Sequence, residues 1–176
     1  MFKKNESIMK RLLSIFLVAL MGLFITVSCT NDDGGNYVDN DTISDVYDLR
    51  NVSFDYDQGY YLLRNFTRPL YDSDVVLVYR QTNTNNNQPV WKLLPNTIYF
   101  NDGNELDYTF DFSKNDVQIY VDGTFDLSNT EYIRNQTFRV VVIPANYGRN
   151  TNQVDFNDYN AVINYYNIND RQPATL

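Results

Sequence analysis

Three acidic side chains occupy alternating positions between Glu105 and Asp111, and paired carboxylates are the catalytic groups of most glycosidases. Residues two apart in a strand lie about 6.7 Å apart on one face, within the ~6.5–9.5 Å separation of inverting enzymes. Because Asp107 and Asp111 alternate with apolar residues, we expect them to point into water. A hydrolase, by contrast, needs one buried carboxyl group whose pKa is raised. A carboxylate-dependent hydrolase acting on glycans therefore stays the alternative function, and no catalytic residue is assigned.

A second polar group consists of Asp155, Asn157 and Asp158, whose oxygen atoms are the ligand type that divalent cations prefer. The chain has no calcium-loop motif with a distal Glu. The group also directly precedes a segment of helical period, where Asp and Asn are favoured N-cap residues. We interpret Asp155 and Asn157 as helix caps, and we expect no metal and no cofactor.

Aromatic side chains are the third candidate, since they bind ligands without reacting with them. Trp91 is the only tryptophan, and it is close in sequence to the Asn-rich segment 83–87. An exposed aromatic ring beside amides can stack on a sugar while the amides bind its hydroxyl groups. Trp91, Tyr99 and Tyr120 are thus predicted as a surface platform for a ligand. The other interpretation places Trp91 in the core and gives both tyrosines a role in cross-strand packing.

Composition excludes several classes of function. The 176 residues include no His, so the usual general base and the commonest metal ligand are missing. A single Cys cannot form an internal disulfide or a CxxC redox motif. With 14 Lys+Arg against 22 Asp+Glu, the net charge of −8 argues against binding nucleic acid.

The single cysteine, Cys29, ends a segment typical of secretory signals. Basic residues within positions 3–11 precede an uncharged and mostly apolar run from Leu12 to Val27. The sequence Ile-Thr-Val-Ser-Cys at 25–29 resembles a bacterial lipobox, with Thr26 where Leu is usual. The resemblance implies cleavage before Cys29, a diacylglyceryl group on its thiol and a further acyl chain, such as palmitate, on its amine. The alternatives are a soluble exported protein with an incidental cysteine and an uncleaved signal anchor.

These features predict three regions: a signal peptide at 1–28, an acylated cysteine with a flexible acidic tether at 29–45, and one domain at 46–176. Several acyl chains on one residue give stable membrane anchoring. After cleavage the chain carries 10 Lys+Arg against 21 Asp+Glu, so anionic lipid repels it and the anchor must hold it. Asp32 and Asp33 resemble the surface-export signal of Bacteroidota lipoproteins. We therefore expect an outer-membrane lipoprotein, exposed on the cell surface or facing the periplasm.

The domain is dominated by period-two patterns, the signature of strands. Val75–Tyr79 is continuously apolar, which predicts a central strand covered on both faces. A break at 57–59 suggests a hairpin, 83–89 reads as an Asn-rich loop, and the strand interrupted at Pro95 is expected at an edge or a bulge. Further strands are predicted from these segments: Val52–Tyr56, Tyr60–Phe66, Val90–Phe100, Leu106–Phe112, Val117–Val121 and Phe138–Ile143.

One stretch near the C-terminus departs from period two. Tyr159, Val162, Ile163 and Tyr166 fall on one face of a helix, which we expect to pack on the sheet. Seven or eight short strands with regular turn signals predict an all-β fold, an antiparallel β-sandwich with one short C-terminal helix.

The segments VVLVYR, VWKLLPNTIYF, LDYTFDF, DVQIYVDG and FRVVVIPA resemble those of uncharacterised Bacteroidota surface lipoproteins with a C-terminal β domain. Some members carry a collagen-like tract after the lipobox cysteine, and this chain has only a short acidic tether there. The resemblance implies location and fold. We expect a lipid-anchored envelope protein that acts without catalysis as a binding, adhesion or structural module. Its expected partners are the membrane, through the lipid on Cys29, and a glycan or an envelope protein.

Overall fold

A computed structural model describes residues 44–86, 88–144 and 154–176. These residues form eight strands and one α-helix. The strands make two antiparallel sheets of four, in the orders β1-β8-β3-β4 and β2-β7-β6-β5. The predicted all-β sandwich with a short C-terminal helix is confirmed. The elements are β1 (Asp45–Val52), β2 (Tyr61–Asn65), β3 (Val75–Asn85), β4 (Gln88–Leu93), β5 (Asn96–Tyr99), β6 (Glu105–Phe112), β7 (Asp116–Gly123), β8 (Gln136–Ile143) and α1 (Tyr159–Tyr165).

The two central strands of the first sheet, β3 and β8, are apolar on both faces because both faces are covered. Val78 and its partner Val140 face the second sheet and belong to the main core. Leu77 and its partner Val141 face the other way, into a separate cluster beneath α1. The prediction of a doubly covered central strand at Val75–Tyr79 is confirmed, although Val75 itself is partly exposed.

The second sheet has one covered face and one open face, as the alternating sequence of β6 predicts. Leu106 and Tyr108 are fully buried against the first sheet, and Ile119 on β7 is buried beside them. The opposite face of β6 carries Glu105, Asp107, Thr109 and Asp111. Covering one face only is why this sheet tolerates polar residues at every second position.

The predicted hairpin around residues 57–59 is wrong. The strand before the turn, β1, pairs with β8 in the first sheet, and the strand after it, β2, pairs with β7 in the second. Four consecutive residues of β1 are buried, so β1 needs cover on both faces, whereas β2 alternates. The turn signal located the change of direction but could not identify the partner of either strand.

The predicted Asn-rich loop at 83–89 is also wrong. The β3 strand continues to Asn85, β4 begins at Gln88, and Asn85 pairs with Gln88 across a two-residue connection. Asn86 has a φ of 48°, the left-handed conformation that tight hairpin turns require and that Asn tolerates. The Asn run therefore supplies the turn and the strand ends beside it.

At Pro95 the predicted edge position is confirmed, and the chain also changes sheet there. Strand β4 is an edge strand of the first sheet and β5 is an edge strand of the second. The Leu94–Pro95 peptide bond between them is cis.

The helix α1 covers the outer face of the first sheet, with Tyr159 and Val162 buried. Its N-cap is Asp158, whose carboxylate accepts a hydrogen bond from the Ala161 N–H. The predicted caps, Asp155 and Asn157, are therefore wrong by three residues and one residue, because Asp155 instead accepts from the backbone and amide of Asn157 in the preceding turn. That turn aligns the chain so that Asp158, rather than Asn157, meets the first free N–H groups of the helix.

The C-terminal segment protects the outer edge of β1. Ala174 forms a parallel bridge with Tyr47, donating from its N–H to the Val46 carbonyl at 2.9 Å and accepting from the Asp48 N–H at 2.8 Å. Leu176 packs against the main core. The segment satisfies backbone groups that an open edge strand would expose.

Replacing Ala174 with Pro should lower the free energy of unfolding by about 1–3 kcal/mol, since Pro lacks the N–H that bonds to Val46. Ala174→Ser keeps the N–H at an exposed position and should change stability by less than about 0.5 kcal/mol. Urea unfolding of the two variants and the parent measures the difference. Equal stability of both variants would show that this bridge does not hold the edge.

Candidate binding site

Arg139 is a buried cation on the outer face of the first sheet. It lies on β8 directly opposite Asp48 on β1, and the two residues are 7% and 4% exposed. The Arg139 Nε donates to Asp48 Oδ1 at 2.6 Å, and its Nη2 donates to Oδ2 at 3.0 Å. This two-pronged geometry is the strongest form of arginine–carboxylate pairing.

The remaining nitrogen of Arg139 links the sheet to the helix and to the C-terminal segment. Its Nη1 donates to the Tyr159 hydroxyl oxygen at 2.6 Å and contacts Asp170 Oδ2 at 3.3 Å. The Tyr159 hydroxyl in turn donates to the same Asp170 oxygen at 2.6 Å. Four segments of the chain thus meet at one guanidinium group.

The charge states in this cluster are fixed near neutral pH. Burial favours the neutral form of Asp48, but hydrogen bonds from Arg139 and then Arg50 outweigh it, so the pKa of Asp48 lies below its ordinary value of 3.8. Burial likewise opposes the charge on Arg139, yet its bonds to Asp48 and Tyr159 raise its pKa. Burial, reinforced by the bond to Asp170, raises the pKa of Tyr159 above its usual range. These groups hold position and charge and are not tuned to exchange protons at neutral pH.

Trp91 packs on this cluster from the edge strand β4. The Arg139 guanidinium carbon lies 4.6 Å from the centroid of the indole ring, and the Tyr159 ring lies 5.6 Å away. A desolvated cation–π contact of this kind contributes about 2 kcal/mol. The indole is half-buried and packs against these two neighbours, which restrict its rotamers.

Two grooves flank Trp91, and both include Pro89 and Trp91 in their walls. The first measures about 480 Å³ and the second about 410 Å³. Both volumes lie in the ~300–1,000 Å³ range of small-molecule sites. The first groove carries ionic, amide and hydroxyl side chains: Asp48, Arg50, Asn51, Gln81, Thr137 and Arg139. The second carries acidic and amide side chains with one phenol: Asp155, Asn157, Asp158, Tyr159 and Asn160.

The structure does not bring the three predicted platform residues together. Trp91 lies in the first sheet, whereas Tyr99 and Tyr120 lie in the second, on β5 and β7. Tyr99 is 74% exposed, and Tyr120 is half-buried with its ring 6.3 Å from that of Tyr61. Neither tyrosine lines the grooves beside Trp91.

The carboxylates considered for catalysis are likewise remote from Trp91. Asp111 is exposed, and Asp107 is half-buried and accepts a hydrogen bond from the Thr97 hydroxyl. Both lie on the outer face of the second sheet. Among the residues that the structure describes, no group of three or more His, Cys, Asp or Glu is arranged to hold a metal ion. Cys29 lies outside the described residues.

Sequence reasoning missed most of this cluster, although a signal was present. Arg139 is the only charged residue in the run Phe138–Ile143, and Asp48 lies between Tyr47 and Leu49, which are both buried. A charge inside a buried strand requires a partner. The pattern therefore marks both residues, but it does not reveal that they pair with each other.

Asp48→Asn should lower the free energy of unfolding by about 3 kcal/mol at neutral pH, because it leaves Arg139 buried without its main counter-ion. Since the folded pKa of Asp48 is depressed, its stabilisation is present above pH 3.8 and is lost as the pH falls through the folded pKa. Urea unfolding of parent and variant from about pH 7 to about pH 2 measures the difference. If the difference in unfolding free energy between parent and variant stays constant over that pH range, the ion pair is contradicted.

Comparisons with known proteins assign no function to this site. The chain matches no protein-family model, no curated protein and no solved structure. In the part of the chain that the structure describes, no helix has the length and apolar character needed to cross a membrane.

Proposed function

We propose that this chain is a lipid-anchored cell-envelope protein whose β-sandwich binds a saccharide at Trp91. One observation carries the proposal: a single indole, packed against Arg139 and Tyr159, lines two polar grooves. An aromatic ring whose position is already fixed loses little conformational entropy when a ligand stacks on it.

The side chains around the indole match the hydrogen-bonding needs of sugar hydroxyl groups. Asn51, Gln81 and Thr137 in the first groove both donate and accept hydrogen bonds, as do Asn157 and Asn160 in the second. Since both grooves run up to Trp91, an oligosaccharide that crosses the indole would reach polar groups on either side. Peptide-binding grooves, by contrast, usually offer an apolar channel or an open strand edge with side-chain pockets.

A binding role without catalysis fits the charge states of the cluster. Asp48 is ionised and held by two arginines, and Tyr159 is neutral, so none of them is a general acid or base near neutral pH. Asp107 and Asp111, the carboxylates considered for the hydrolase, lie away from both grooves.

Anchoring at Cys29 is proposed from the sequence. The basic segment, the apolar run and the lipobox-like 25–29 support export and acylation, and Asp32 and Asp33 support transfer to the cell surface. The polar and acidic part of the tether region, the fourteen residues Thr30–Ile43, extends at most about 45 Å at ~3.3 Å each. A domain on such a tether could sample saccharides close to the outer membrane.

Trp91→Ala should weaken saccharide binding by at least about tenfold, because the stacking surface is lost. The full chain in detergent micelles is screened on a glycan array, and the best oligosaccharide is titrated by calorimetry. Tyr99→Ala removes an exposed aromatic from the other sheet and should leave the affinity unchanged. Silence of the parent across the array, or equal loss in both variants, would count against a site at Trp91.

Cys29→Ala should abolish incorporation of a metabolically supplied fatty acid and release the protein from the membrane fraction. The physical reason is that one thiol and its neighbouring amine carry all the acyl chains that hold the protein. Labelling of parent and variant, followed by membrane fractionation, tests both effects. Undiminished label in the variant would remove the anchor from the proposal.

A further inference from the structure

The first groove differs in charge from the rest of this acidic protein. Arg50 and Arg139 line it with one carboxylate, Asp48, whereas the second groove carries Asp155 and Asp158 and no cation. The whole chain has a net charge of −8. A local excess of positive charge at one wall of a groove favours an anionic group in the ligand.

Arg139 cannot supply that recognition directly. Its side chain is 9% exposed, and Asp48, Tyr159 and Asp170 take bonds from all three of its nitrogens. Its role in the groove is to support Trp91 and to fix Asp48.

Arg50 is the exposed member of the pair, with 68% of its side chain accessible. Its Nε and Nη2 both donate to Asp48 Oδ2, at 3.3 and 2.9 Å. A guanidinium has five N–H donors, so the edge made by Nη1 and the outer N–H of Nη2 stays open. No partner for that edge is found in the part of the chain that the structure describes. Two parallel N–H groups on one edge are the fork that binds a carboxylate with both oxygens.

Asp48 keeps this fork in place. Its Oδ2 accepts from both Arg50 and Arg139, so the exposed guanidinium is tied to the most buried ion pair of the sheet. Asp170, which contacts Arg139 at 3.3 Å, lies outside the groove wall, so the wall itself holds two arginines and one carboxylate. The fork therefore combines a restrained direction with open donors on the positive wall of the groove, and it lines the same groove as the indole of Trp91.

We infer that the saccharide bound at Trp91 is acidic, a uronate-type sugar whose ring stacks on the indole while its carboxylate pairs with the open edge of Arg50. This rests on the proposed saccharide-binding function and narrows its ligand class. The planar carboxylate of a uronate matches the fork in shape and charge, while a C–H face of its sugar ring can stack on the indole. The acidic surface elsewhere repels polyanions, so the selectivity must come from this groove.

The test uses Trp91 as its own reporter, since it is the only tryptophan of the chain. The full chain in detergent micelles is titrated with tetragalacturonate and, separately, with the same tetrasaccharide fully methyl-esterified, which keeps the ring and removes the charge. Tryptophan fluorescence follows occupancy of the groove. We expect the acid to bind about tenfold more tightly than the ester at low ionic strength, with the preference shrinking as salt is added.

Arg50→Gln should reduce the affinity for the acid about tenfold and leave that for the ester unchanged. The matched control is Arg64→Gln, which removes the same charge from β2 in the other sheet, where Arg64 donates to the neighbouring Leu63 carbonyl. Circular dichroism checks the fold of both variants, and Arg50→Lys, which keeps the charge without the fork, should recover only part of the affinity.

The outcomes separate the two proposals. Equal affinity for acid and ester, or equal loss in the Arg50 and Arg64 variants, overturns the acidic ligand and leaves saccharide binding standing. Failure of both tetrasaccharides overturns the acidic ligand, and the proposed function then falls only if the glycan array is silent as well. Calorimetric binding without any fluorescence change places the anion elsewhere and overturns the inference.

Discussion

The buried pair of Arg139 and Asp48 is the interaction on which the outer face of this sandwich depends. Removing two charges from water costs several kcal/mol per ion, and the cost is offset only when the geometry is good and other polar neighbours satisfy the remaining donors. Both conditions are met, because the fork to Asp48 is complete and the last nitrogen of Arg139 bonds Tyr159 and contacts Asp170. Removing either partner would expose the other to the full penalty.

The same pair organises the candidate site, because Arg139 on β8 contacts groups from four other segments. Asp48 lies on β1, Tyr159 on α1, Asp170 on the C-terminal segment and Trp91 on β4. A half-buried indole on an edge strand would otherwise be free to change rotamer. Its contacts with a guanidinium and a phenol ring restrict that freedom, which is the property that a binding surface needs.

The sequence predicted the fold correctly wherever the pattern of apolar residues in one strand shows which of its two faces is buried. The continuous apolar run of β3 and the alternation of β6 identified a covered and a half-open sheet, and the 3.6-residue period identified α1. The sequence could not predict which strands pair, because paired residues such as Asp48 and Arg139 lie 91 positions apart in the chain. A turn such as 57–59 fixes where the chain bends, while the choice of sheet depends on burial that only distant strands provide. The sequence identified Trp91 as a candidate site residue. The contacts of its indole with Arg139 and Tyr159 became visible only in the three-dimensional structure.

A second buried arginine shows why a lone charge in an apolar strand does not by itself mark a site. Arg80 on β3 shares the inward face of Val76 and Val78, and its guanidinium carbon lies 4.2 Å from the Tyr108 ring centroid. Its Nε donates to Gln136 at 2.9 Å, and burial lowers its pKa, while burial raises the pKa of Tyr108 to about 12. The guanidinium group of Arg80 thus lies between the two sheets, whereas that of Arg139 lies on the outer face of the first sheet, beside the grooves. The face of the strand, and not the presence of the charge, decides whether a buried cation packs the core or supports a ligand.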